Sequence, residues 1–258
     1  MSLAHVRRGS GPPLVLIHGI GSQWQMWKPV LDRVSREREV VALDLPGFGD
    51  SEEYRARPTV DALASAVAEF LDGIGLAGAH AAGNSLGGGV ALAMARMGEA
   101  RSACVLSPAG FGNLREGRYA RAVLLESRRA AKLAAPHAEL VCKGAARRAL
   151  AFSHLAARPW RIPPDEAADA LRNLARCPGF ETTFEAIEDY RWNGPEPSCP
   201  VTVAWGEKDR LLLYARQSAR ARRRLPGARH VTLEGCGHVP TWDDPEQIAR
   251  VLLDASSR

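Results

Sequence analysis

The stretch Ala79-His80-Ala81-Ala82-Gly83-Asn84-Ser85-Leu86-Gly87-Gly88-Gly89 constrains this chain more than any other. It opens with small, mostly apolar residues suited to a buried strand and bends within Gly83-Asn84-Ser85-Leu86-Gly87. It then runs into Val90-Ala91-Leu92-Ala93-Met94-Ala95-Arg96, a helix-forming composition. A serine on so tight a strand-to-helix bend leaves no room for side chains two residues to either side, which accounts for Gly83 and Gly87. The bend pushes the Ser85 hydroxyl clear of the backbone. It also sets that hydroxyl beside a helix N-terminus, where free N–H groups and the helix dipole favour negative charge. Glycine-rich pentapeptides match G-x-S-x-G by chance as well, so the pattern needs a base and an acid further along the chain.

A strand–helix alternation carries this bend on both sides. Leu14-Val15-Leu16-Ile17 reads as a buried strand, with His18-Gly19-Ile20-Gly21-Ser22 at its carboxyl end, the edge where open α/β sheets bind ligands. Trp24 to Val34 follows with helical spacing; Trp24 is a candidate for the rim of a pocket and Trp27 for packing. Val40 to Leu43 is the next strand, and Asp44 in the loop after it is expected to hold that loop by hydrogen bonds. Val60 to Leu71 is helical, and Ser102 to Leu106 is a further strand. Between residues 111 and 197 the alternation stops, and Arg, Ala and Leu fill amphipathic stretches at Tyr119–Ala134, His137–Leu150, Asp165–Arg176 and Thr182–Tyr190. Alternation resumes with strands at Val201–Trp205 and His230–Leu233, separated by a helix over Leu211–Leu225. In Asp244-Pro245-Glu246-Gln247 a capping aspartate and a first-position proline start the last helix, and both Asp243 and Asp244 read as capping residues. The expected organisation is therefore an α/β core over 1–110 and 198–258, interrupted by a helical cap over 111–197.

Composition removes several function classes. Five scattered cysteines with no Cys-x-x-Cys pair point away from a zinc site or a disulfide framework and toward a reducing, cytoplasmic setting. No metal or other cofactor is expected. The N-terminus lacks the apolar core of a signal peptide, and no run of about 18 apolar residues suggests a membrane span. The net charge of +5 draws on Arg216, Arg220, Arg222, Arg223, Arg224 and Arg229. With no interleaved aromatics, that cluster reads as a solvated helix face rather than a nucleic-acid site.

Ser85, Asp209 and His238 sit just past strand ends in the order nucleophile, acid, histidine. A serine hydroxyl needs a base to take its proton during attack. Histidine titrates in the right range and can return the proton, while a carboxylate fixes its tautomer. Asp209 is preferred to Glu207 because it lies further beyond the strand end.

Together, His18-Gly19-Ile20-Gly21, Asp44 to Ser51, Gly83 to Gly88, Trp205 to Asp209 and Gly237-His238-Val239-Pro240 resemble the α/β-hydrolase fold superfamily. That resemblance implies a mostly parallel eight-stranded sheet with a helical cap, a Ser85–His238–Asp209 triad, and an oxyanion hole from the backbone N–H groups of Ile20 and Leu86. Asn84, Trp24, Trp160, Phe184, Trp192 and Val239 are candidates for the substrate pocket, with Phe180 a further cap aromatic. The expected function is hydrolysis of a small-molecule carboxylic ester through an acyl-enzyme. The alternatives are carbon–carbon bond hydrolysis of vinylogous diketones, cofactor-free perhydrolysis, and a ligand-binding module that has kept the fold. Asn84 is similar to the carbon–carbon group, whereas Val239 stands where that group typically has tryptophan.

Overall fold

The computed structural model describes residues 2–257. Its centre is a seven-stranded sheet in the order β1-β3-β2-β4-β5-β6-β7. The strands are β1 (His5–Arg8), β2 (Pro13–Ile17), β3 (Glu39–Leu43), β4 (His80–Asn84), β5 (Ala103–Leu106), β6 (Val201–Gly206) and β7 (Arg229–Leu233). β1 pairs antiparallel with β3, and every other neighbour pairs parallel.

Eight strands were expected, and seven form among the described residues. The residues ahead of β1 do not add one. Leu3 is buried in the core, and Ala4 donates its N–H to Ser51 Oγ and accepts from Asp44 N–H.

Alternating side chains on the parallel strands feed two cores. Val15, Ile17, Val41, Leu43, Ala103 and Val105 face one side, covered by α2 (Val60–Gly73) and α3 (Leu86–Met97). Leu14, Leu16, Val40, Ala42, Cys104 and Leu106 face the other, covered by α1 (Lys28–Val34) and α10 (Pro245–Ala255). The chain runs outward from β2 to β3, then crosses back to lay β4 on the other side of β2, with Ile17 paired to Gly83. The loops leaving β2 and β4 therefore emerge side by side at one edge, the switch point where such sheets form sites.

Five α-helices lie between β5 and β6: α4 (Leu114–Ala134), α5 (Ala138–Lys143), α6 (Ala145–Phe152), α7 (Pro164–Arg176) and α8 (Phe180–Ile187). α4 starts earlier than its periodicity suggests, because Asn113 and Glu116 cap each other's backbone N–H groups. The single expected stretch over residues 137–150 is split at Gly144, whose extended backbone ends α5 and begins α6. These helices share a small core of their own that includes Cys142, Phe152, Ile162 and Leu171.

α9 (Tyr214–Arg224) follows β6. Its arginines do more than solvate a face: Arg220 binds Glu116 and the Phe111 carbonyl, and Arg224 reaches the Trp192 carbonyl, tying the core to both ends of the helical insert. No helix among the described residues is long and apolar enough to cross a membrane.

Candidate active site

Ser85 occupies φ 56°, ψ −115°, a backbone region that L-residues rarely adopt and that costs about 1–3 kcal/mol. The surroundings over-determine it. Its N–H donates to the Leu106 carbonyl (3.0 Å), and its carbonyl accepts from Gly89 (3.0 Å) and Ala109 (2.9 Å). A Cβ on Gly83 would stand 2.1 Å from the Gly87 carbonyl oxygen, and one on Gly87 would stand 2.2 Å from that of Ile17. The two glycines are thus required by close backbone approach, as the sequence suggested. The loop after β2 presses on the same serine: a Cβ on Gly19 would lie 3.2 Å from Ser85 Cβ. The backbone N–H groups of Ile20 and Leu86 have no hydrogen-bond partner among the described residues.

Asp209 and His238 meet. His238 Nδ1 donates to Asp209 Oδ2 (2.8 Å), and both side chains are almost fully buried. The other carboxylate oxygen accepts the N–H groups of Leu211 (2.9 Å) and Leu212 (2.8 Å). Those two bonds hold the acid, and they also delay α9, which begins at Tyr214 rather than at Leu211. With Nδ1 protonated, Nε2 carries the lone pair. That nitrogen is buried and has no partner among the described residues. Ser85 and His238 line the same cavity. The imidazole is held on its carboxylate side, and its other nitrogen is free within the cavity that Ser85 also lines.

Three contacts fix the histidine loop. Asn84 Nδ2 donates to the His238 carbonyl (2.8 Å) and to the Leu106 carbonyl (3.1 Å). Val239 N–H donates to the Leu155 carbonyl (2.7 Å). The Asp243 carboxylate accepts N–H bonds from Gly237 (2.8 Å), Ala157 (2.9 Å) and Arg158 (2.7 Å). Only Asp244 caps α10. Asp243, expected to do the same, instead staples the helical insert to the loop that carries His238.

His18 and Asp44 shape the neighbouring loops. His18 Nε2 accepts from Leu45 N–H (2.9 Å), so Nδ1 carries the proton and donates to the Gly19 carbonyl (2.7 Å). Burial lowers its pKa, outweighing the nearby Asp44 charge. Asp44 accepts from Trp24 N–H (2.7 Å) and Asp50 N–H (3.1 Å), the loop-holding role expected for it.

Above Ser85 lies a cavity of about 850 Å³, walled mainly by apolar side chains that include Met26, Leu124, Leu155, Leu171 and Trp242. Of the six pocket candidates, Asn84 and Val239 line it and four do not. Trp24 packs against the core behind the loop, with Lys28 over its ring. Trp160 is half exposed on the outside of the insert. Phe184 stacks on Phe180, ring centroids 5.6 Å apart, and Trp192 is buried in the core below. Phe180, Phe184 and Trp192 anchor the insert to the core beneath it, and the cavity is walled by other residues, mostly aliphatic, with Tyr119, Phe152 and Trp242 among them. His154, which the sequence did not single out, also lines the cavity and contacts Ser127 Oγ at 3.2 Å. Burial, and the positive charge that His238 carries once protonated, push its pKa down to about 4. A lone histidine in an Ala/Leu-rich segment gives no sequence signal.

A family model, the alpha/beta hydrolase family, matches residues 14–251. The chain belongs to the alpha/beta hydrolase family. Among its relatives is the dihydrolipoyllysine-residue acetyltransferase component of the acetoin cleaving system of Pseudomonas putida, 31% identical over 251 residues and 94% of this chain. The chain spans 63% of that relative's length. A 2-hydroxymuconate semialdehyde hydrolase of Pseudomonas sp. strain CF600 is 38% identical over 91 residues, 34% of this chain and 32% of its own length. The crystal structure of a bacterial membrane phospholipase A superposes with a TM-score of 0.74 at 27% identity, covering all of this chain and 87% of that one. The chain is thus similar to enzymes of several different names.

Proposed function

We propose that this alpha/beta hydrolase is a serine hydrolase that cleaves a carboxylic ester of an apolar small molecule through an acyl-enzyme on Ser85. The observation that carries the reading is the unpartnered, buried His238 Nε2, held by Asp209 through Nδ1 and opening into the cavity that Ser85 also lines. In this reading Nε2 takes the Ser85 proton as Oγ attacks the ester carbonyl, and the new oxyanion lies against the N–H groups of Ile20 and Leu86. The tetrahedral adduct collapses by breaking the bond to the alkoxy oxygen, which leaves as an alcohol with the proton held by His238. A water, deprotonated by the same nitrogen, then attacks the acyl-enzyme and releases the acid and the free serine. The proposed division is a catalytic core (1–110 and 198–258) with a cap (111–197) that supplies most of the acyl-pocket wall. Five free thiols suit a reducing compartment.

An ester is favoured over a charged dienoate by where the cations are. The two buried arginines of the insert are occupied. Arg128 binds the Cys177 carbonyl and Glu181, and Arg148 binds the carbonyls of Cys142, Lys143 and Trp160. Lys28 and Arg147 border the cavity but are exposed at its rim. A carboxylate inside would meet no cation, and burying an unpaired charge is costly. Perhydrolysis would share the acyl-enzyme, with peroxide replacing water.

The test is turnover of p-nitrophenyl butyrate by wild-type and Ser85→Ala protein. A fall of about 10³-fold or more is expected. Residual activity within about tenfold of the wild type would contradict the assignment.

A further inference from the structure

Among the described residues, six of the seven large apolar side chains left exposed belong to the segment 111–197. Three of them lie on α4, α5 and α6, helices that each contribute to the cavity wall: Leu133 and Leu150, each 82% exposed, and Leu140, 61% exposed, of which Leu150 lines the cavity itself. Their placement follows from the helices. On α4, Tyr119, Ala122, Glu126 and Ala130 line the cavity, and Leu133 falls on the same stripe one turn beyond Ala130. Across the opening, α6 presents Arg147 and Leu150, which line the cavity and are exposed at once. Arg147 donates to the Leu140 carbonyl (2.8 Å), which sets Leu140 beside this rim. Arg148 donates to the Trp160 carbonyl (3.0 Å), which ties half-exposed Trp160 to the same helix.

The charge of this segment is as uneven as its apolarity. Residues 129–161 hold seven Lys or Arg and one acid, Glu139. Glu139 pairs with Arg172 of α7, and Arg129 and Lys132 are engaged by Glu126 and Glu181. Lys143, Arg147 and Arg161 are exposed, with no carboxylate partner among the described residues. Exposed leucines and a tryptophan beside uncompensated cations are what an element lying in a bilayer interface presents: apolar side chains enter the acyl boundary and cations meet anionic headgroups.

We propose that the rim formed by α4, α5 and α6 docks on an anionic lipid bilayer, with the cavity mouth facing the membrane surface. The protein would lie on the membrane without spanning it. An apolar substrate would then pass from the bilayer into the apolar cavity without crossing water. A second copy of the chain is a less suitable occupant, because apposing two such rims would bring like charges together.

The test is flotation of the full chain with vesicles of phosphatidylcholine alone and of phosphatidylcholine with about 30% phosphatidylglycerol. Binding is expected to the anionic vesicles and to weaken at 0.5 M salt, with the neutral vesicles binding poorly. The variants Leu133→Ser/Leu140→Ser/Trp160→Ser and Lys143→Glu/Arg161→Glu avoid every cavity-lining residue. Each is expected to lose about tenfold or more of the vesicle binding and to hydrolyse soluble p-nitrophenyl acetate at the wild-type rate. Ser85→Ala is expected to bind vesicles as the wild type does, which separates this proposal from the assignment of the nucleophile. Equal binding by the rim variants, indifference to lipid charge, or a dimer in light scattering that those variants dissolve would overturn it.

Discussion

Replacing Asp243 tests how the helical insert and the histidine loop are joined. Its carboxylate, 3% exposed, is the shared acceptor for Gly237 N–H in the loop and for Ala157 and Arg158 N–H in the insert. Asp243→Ala leaves three donors without a partner. A buried unsatisfied donor costs about 1–3 kcal/mol, and bonds to a charged acceptor sit at the upper end. Gly237 is buried and bears that cost in full, whereas Ala157 and Arg158 are half-buried and recover part of it from water. The expected loss is about 3–5 kcal/mol, or roughly 10 °C in Tm for a chain of this size. Asp243→Asn can keep two of the three bonds through one oxygen but turns an NH2 toward the third donor, for about half the loss. Urea unfolding monitored by circular dichroism measures both. Amide exchange reports the location: Gly237, Ala157 and Arg158 are expected to exchange faster in each variant, while the strands keep their protection. Because Gly237 precedes His238, kcat is expected to fall about 10- to 100-fold through misplacement of the imidazole. An Asp243→Ala protein within about 1 kcal/mol of wild type, with unchanged exchange at Gly237, would refute the reasoning.

Gly83→Ala places a methyl group 2.1 Å from the Gly87 carbonyl oxygen, where neither backbone can yield, so it is expected to express as insoluble or unfolded protein; a soluble variant of wild-type Tm would contradict the elbow geometry. Burial holds His18 and His154 neutral, with lowered pKa values, whereas in the unfolded chain they titrate near 6.5. The unfolded state therefore binds more protons below about pH 6.5, and stability is expected to fall as pH drops from there toward about 4. The check is Tm measured from pH 7.5 to 4.5, with a shallower decline expected for His154→Gln and an identical slope counting against the reading.

Much of the architecture was legible because elements of this kind advertise themselves. The parallel strands are short apolar runs, and the elbow glycines are imposed by backbone clashes that any such bend would meet. β1 was not legible. His-Val-Arg-Arg at a sheet edge is mostly exposed and carries no apolar run, so only its pairing with β3 reveals it. Asp209 and His238 could be picked because both follow strand ends, and the 2.8 Å contact between them joins what 28 intervening residues separate in sequence. Pocket walls were harder to read. Aromatic content says that a side chain will be buried, not against what; Phe180, Phe184 and Trp192 pack the insert onto the sheet core, whereas mainly aliphatic residues of four insert helices, with Phe152, Tyr119 and Trp242, enclose the cavity. Asp243 was misread for a related reason. Its place beside a capping Asp-Pro pair suggested a local role, and its partners at residues 157 and 158 lie 86 and 85 positions away.

The central claim is that Asp209 and His238 make the Ser85 hydroxyl a nucleophile. The most direct measurement is intact-mass and peptide mapping after brief exposure to a fluorophosphonate at pH 7.5. One adduct per chain is expected, located on Ser85, absent in Ser85→Ala and formed far more slowly in Asp209→Asn. A folded protein that stays unlabelled, or one that labels equally fast without the Asp209 carboxylate, would contradict it.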